Sequence, residues 1–81
     1  MRVAVIVRPK PEVLDPQGDA VRRALGKLGF AGIDSVRVGK VIEIDIDEAH
    51  ASAPDLVDRL QRMADELLAN PVIEDYEVKV D

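Results

Sequence analysis

His50 is the one histidine in the chain, and acid–base chemistry would have to begin with it. It lies in Glu48-Ala49-His50-Ala51-Ser52, with no second histidine to share a metal ion. A solvated loop histidine is the expectation there. Four carboxylates, Glu43, Asp45, Asp47 and Glu48, crowd just ahead of it. Carboxylates alone hold at best a loose divalent ion, and the first three alternate with isoleucines as the wet face of a strand does. Ser35 and Ser52 have no histidine base in a suggestive setting. Ser52, three residues before Asp55, has instead the spacing of a helix-capping box. Arg8, Lys10, Arg37 and Lys40 could meet a phosphate, but no glycine-rich turn opens a helix to cradle one, and Gly18 is alone. Without cysteine there is neither a thiolate zinc site nor a disulfide framework. Nothing in these residues assembles an active site.

The elements that position them centre on Val36–Asp47, VRVGKVIEIDID. From Ile42 onward it alternates, with Ile42, Ile44 and Ile46 on one side and Glu43, Asp45 and Asp47 on the other, so a half-buried strand is predicted. Val36 and Val38 continue the apolar side upstream, but Gly39-Lys40 breaks it. A glycine inside a strand pattern marks a bend, a bulge or a tight turn. Either one long strand bends at Gly39, or a Gly-Lys turn joins two strands as a hairpin.

Val3, Val5 and Val7 predict a first strand, and its VAVIV run needs pairing to avoid aggregation. Arg8-Pro9-Lys10-Pro11 reads as an extended connector, because its prolines remove donors and restrict their neighbours. Asp15-Pro16 then opens a helix as an N-cap followed by proline. Ala20, Val21, Ala24, Leu25 and Leu28 form its stripe, and Gly29 suits its left-handed end. Mid-helix Gly26 fits either a close backbone approach or an exposed, silent position. A second helix carries Leu56, Val57, Leu60, Met63, Ala64, Leu67 and Leu68, until Asn70-Pro71 stops it. Tyr76, Val78 and Val80 form a last strand. Ile33–Val38 and Ile73–Val78 share one polarity order, so each helix runs into a similar strand. Strand–helix–strand twice over predicts an α+β, ferredoxin-like layer, an antiparallel sheet with two helices on one face. Ala4, Ile6 and Val41 would be left on the other face for a partner to cover.

Eighty-one residues make one small domain, 1–81. A chain this size buries only about 60% of its unfolded surface, and with aromatics at 2% the core is aliphatic and thin. Such chains often gain stability by oligomerising. The longest apolar run, Val3–Val7, is far short of the roughly 20 residues a membrane span needs, and no cleavable leader is evident. A net charge of −5 with no basic stripe disfavours nucleic acid. The expectation is a cytoplasmic protein with no membrane or nucleic-acid partner.

The letters say more than the patterns. The valine-rich first strand, then EVLDPQGDAV at Glu12–Val21 and SVRVGKVIEIDID at Ser35–Asp47, closely resemble the PurS family, and the NPVIEDYEV ending extends the likeness over the whole chain. PurS is the small subunit of phosphoribosylformylglycinamidine synthase in de novo purine synthesis. The resemblance implies a chain that is not itself catalytic and holds no cofactor, and that is required by a glutamine-dependent ligase complex. In that complex a glutaminase subunit, PurQ, frees ammonia, and a large synthetase subunit, PurL, uses ATP and magnesium. PurS would bridge the two and support ammonia transfer. The resemblance also implies a segment-exchanged homodimer or higher homo-oligomer, which favours the long bent strand. Asp15, Gln17, Arg37, Gly39 and Lys40 are the assembly candidates.

Two other classes share the element order. A regulatory module of the ACT type binds an effector at a dimer interface, but tends to place glycine in its first strand–helix turn. An acylphosphatase-type enzyme needs an arginine cradle and a catalytic asparagine on the sheet, whereas Asn70 lies at a helix end.

Overall fold

The alternating valines build the centre of the sheet. Strand β1 (Arg2–Pro9) runs antiparallel between β2 (Lys40–Asp45) and β3 (Glu74–Val80), in the order β2-β1-β3. Val5 stands opposite Ile42 and Val78, and Val3 opposite Ile44 and Val80. This apolar side is closed by helix α3 (Leu56–Met63) and the π-helical turn Ala64–Leu68 that continues it. Val3, Val5, Val7, Leu60 and Ala64 are buried there, and no buried polar or charged residue interrupts them among the described residues. The structure is a computed structural model, and it describes residues 1–80.

The π turn alters which residues of the second helix face inward. The Ala69 N–H donates to the Ala64 carbonyl at 2.8 Å, five residues back, so one extra residue is fitted between two inward positions. Ala69 is thereby buried and Leu67 is turned out, 83% exposed. Val57 is exposed too, so two members of the predicted stripe lie outside the core. The capping box is also corrected. Glu48–Ala51 forms a one-turn helix, α2, capped by Asp47, which accepts from the His50 N–H at 2.9 Å. Ser52 closes that turn, its hydroxyl donating to the Glu48 carbonyl, and α3 starts at Asp55 with no side-chain cap.

The opposite face is laced with charge. Arg2 lies 3.5 Å from Glu43 and 3.4 Å from Asp45, and Arg8 lies 3.4 Å from Glu77. Only Ala4, Ile6 and Val41 add apolar surface among them.

Helix α1 (Pro16–Lys27) is not packed on this sheet. It forms an arm with the residues that follow it, giving the chain extents of 51 × 24 × 15 Å. Gly29, at φ 95°, ends the helix as predicted. Its N–H donates to Gly26, and the next N–H, of Phe30, reaches back to Leu25. Gly26 has open space around it, so its exposed reading is right. The α1 stripe is uncovered: Val21 is 40% exposed and Leu28 73%.

The α+β class therefore holds, while the four-stranded layer with both helices on one face is not completed within one chain. Residues 31–39 form no strand within the chain, and Gly32 among them has a φ of 83°. No hairpin forms at Gly39-Lys40, because the chain runs directly from the arm into β2. β1, by contrast, continues through Arg8 and Pro9 beside β3, further than the connector reading allowed. The ladder explains why proline is tolerated. The Lys10 N–H bonds Ile73 on the β3 side, so the adjacent Pro9 nitrogen faces the side where β2 has already ended, and no donor is missed.

Candidate functional site

The two stretches singled out in the sequence meet where the arm joins the sheet, and Asp15 joins them. One carboxylate oxygen accepts from the Gly18 N–H at 3.0 Å, the N-cap bond of α1. The other accepts from the Val38 N–H at 2.9 Å, across 23 positions of sequence. Pro16 at the start of α1 fixes the backbone for this geometry. Gly18 is the third part. A Cβ built there would overlap the Val36 carbonyl, so only glycine lets the first helical turn lie this close to the returning chain. The bond from Val38, then that from Gly18, holds the Asp15 carboxyl below its ordinary value, against a smaller opposing effect of burial.

The other candidates surround this clamp. Arg37 donates to the Pro9 carbonyl at 3.3 Å, bridging arm and β1. Gly39 lies against the Val7 carbonyl, which a Cβ would overlap. Its need is for close approach and not for a left-handed backbone, since among the described residues only Gly29 and Gly32 have positive φ. Lys40 opens β2 opposite Val7 and is exposed. Gln17 is exposed on the first turn of α1. Asp15, Arg37, Gly39 and Lys40 thus form one junction, with Gln17 at its margin. Sequence reading identified the pieces but not the bond between Asp15 and Val38, for which no spacing rule exists. It also passed over Gly18 as isolated, and Arg2 as the counter-ion of Glu43 and Asp45.

Two polar groups elsewhere are tied to neighbouring carboxylates. His50 Nδ1 lies 2.7 Å from Asp47, whose carboxyl is held low first by the His50 N–H and then by the ring. Tyr76 is pushed up by burial and by the nearby Asp65 carboxylate. No three of His, Asp or Glu gather as a metal cage among the described residues, and no helix is long and apolar enough to cross a membrane. The junction offers hydrogen-bonded backbone, two glycine contacts and cations, which is equipment for fixing shape and for binding rather than for bond breaking.

The family model for PurS, described as phosphoribosylformylglycinamidine (FGAM) synthase, matches residues 2–81. The chain belongs to the PurS family. It is 47% identical to the phosphoribosylformylglycinamidine synthase subunit PurS of Mycobacterium leprae over 77 residues, covering 95% of this chain and 91% of that protein. The Bacillus subtilis subunit of the same name is 42% identical over 80 residues, covering 99% and 92%. A crystal structure of Bacillus subtilis PurS superposes with a TM-score of 0.85, covering 99% of this chain and 96% of that one at 42% identity. A score that high over nearly the full length requires the arm to leave the sheet in a similar way in that PurS chain. A chain of the structure of PurLQS from Thermotoga maritima matches with a TM-score of 0.72 at 26% identity, covering 96% of this chain and 93% of that one.

Proposed function

We propose that this chain is the small, non-catalytic subunit of a phosphoribosylformylglycinamidine synthase, working in a complex with a glutaminase and a large synthetase. The carrying observation is the match to the PurS family over residues 2–81, which takes in both pieces of the junction. In this assembly the glutaminase frees ammonia from glutamine. The synthetase, using ATP and magnesium, converts formylglycinamide ribonucleotide to the amidine. The small subunit bridges the two and supports passage of ammonia between them, in the cytoplasm. This reading displaces the effector-binding alternative.

A second copy of the chain completes the fold. The unpaired residues 31–39 supply a strand to a neighbour, and the uncovered α1 stripe packs against that neighbour's sheet. Two features support the exchange: the exposure of Val21 and Leu28, and a sheet that ends at β2 without a further strand. Asp15, Gly39 and Arg37 fix the angle at which the arm leaves. Lys40 and Gln17 stay exposed for contacts with the larger subunits.

The test is reconstitution. The purified chain alone should hydrolyse neither glutamine nor ATP. Added to the glutaminase and synthetase of its own organism, it should restore glutamine-dependent formylglycinamidine ribonucleotide synthesis. Full activity of the two larger subunits without it, unchanged on its addition, would contradict the reading.

A further inference from the structure

On the open, charged side of the junction lies a groove of about 480 Å³. Ile6 and Val41 form its apolar floor, with Val41 62% exposed, and Arg8, Arg37 and Lys40 stand around it. The chain holds 16 acidic residues against 11 lysines and arginines, yet none of the acids lines this groove. Arg8 is partnered by Glu77 at 3.4 Å. Arg37 donates a hydrogen bond to the Pro9 carbonyl, and neither it nor Lys40 has a carboxylate within salt-bridge distance among the described residues. Arg2, on the same sheet face, is by contrast shared between two acids. So two cations without counter-ions are held beside uncovered aliphatic surface, in a molecule otherwise rich in negative charge.

We propose that this groove receives an acidic segment of one of the two larger subunits, with a carboxylate between Arg37 and Lys40 and an apolar neighbour over Ile6 and Val41. The proposal rests on the assembly reading above and names the chemistry of one of its contacts. A planar guanidinium pairs with a carboxylate in two-pronged fashion, which suits Arg37 to orient such a segment and not merely attract it. A bare phosphate would use the cations and leave the apolar floor wet. In the exchange described above a second copy pairs with the backbone of residues 31–39, and its own Arg37 and Lys40 supply no carboxylate to these two cations.

The experiment uses the full chain with its glutaminase and synthetase. Affinity for each larger subunit is measured for the parent and for the Arg37→Glu/Lys40→Glu double variant, with Arg37→Gln/Lys40→Gln as a milder second pair. Charge reversal should weaken binding to one of the subunits roughly tenfold or more, and the neutral pair should weaken it less. Melting temperature should match the parent's. Because Arg37 lies in the exchanged segment, the Lys40→Glu single variant, which lies in β2, is the control that should keep the parent's self-association and still weaken binding. A carbodiimide, which joins amine to carboxylate without a spacer, should link Lys40 to an aspartate or glutamate of that same subunit. Unchanged affinity in both pairs overturns the proposal, as does linkage of Lys40 to a second copy of this chain. Competition for the site by millimolar inorganic phosphate that leaves subunit binding intact also overturns it. If the parent restores glutamine-dependent synthesis while the variants bind as tightly as it does, only the groove fails. If the parent itself restores nothing, the assembly reading fails first.

Discussion

Asp15 illustrates how a residue chosen from a motif acquires a physical reason. Its cap of α1 was legible, since aspartate before proline at a helix start has one obvious use. Its second bond, to Val38, was not, because the partner lies 23 residues on and its backbone N–H carries no side-chain signal. In Asp15→Ala both acceptors are lost. The expected outcome is faster hydrogen exchange at the Gly18 and Val38 amides, with the amide of Val5 protected as before, because the arm is not packed on the sheet. Protection retained at Val38 would show that the bond is not what holds the arm. The same bond sets a pH window. Asp15 has a lowered carboxyl in the folded chain, so its contribution is complete above the ordinary unfolded value of about 3.9. It is lost as pH falls through the lower folded value. Protection of Val38 should therefore be flat from neutral pH down to about 4, and fall only below it. Gly39→Val should also displace the arm, through collision with the Val7 carbonyl. That reason differs from the positive φ a bend would have required, and only the structure distinguishes them.

Among the elements, those whose partners lie in the same chain were the readable ones. β1, β3, α1 and the body of α3 follow from period two, period 3.6 and caps. The π turn was not readable, because an inserted residue leaves the apolar composition unchanged and shifts only its phase, which put Leu67 outside and Ala69 inside. The connector was misjudged for a similar reason: Pro9 is tolerated because one side of β1 is already without a partner there. Leu60, 1% exposed under the sheet, tests the core directly. Leu60→Ala should cost about 2–5 kcal/mol. Leu60→Asp, which buries an unpaired charge, should unfold a domain whose whole stability is about 5–15 kcal/mol. Circular dichroism melts equal to the parent's would mean that α3 does not close the core. Leu67→Ala, on the exposed side, should leave the melt nearly unchanged.

For the whole molecule, the four-stranded layer expected from the sequence is only three-quarters present in one chain, and the missing strand is the stretch whose hairpin does not form. Sequence patterns state that residues 33–38 want a sheet edge, but not whose. A chain of 8.9 kDa with an uncovered helix stripe should be found by light scattering as a dimer or larger at micromolar concentration. A mass near that of one chain would remove the exchange. The role of the assembly is tested most directly by one ratio: the rate of formylglycinamidine ribonucleotide formation with glutamine, divided by the rate with free ammonium, measured with and without this chain. A bridge matters only when ammonia must travel between subunits. Omission should therefore collapse the ratio by lowering the glutamine rate far more than the ammonium rate. A ratio unchanged on omission, with both rates intact, would contradict a bridging subunit.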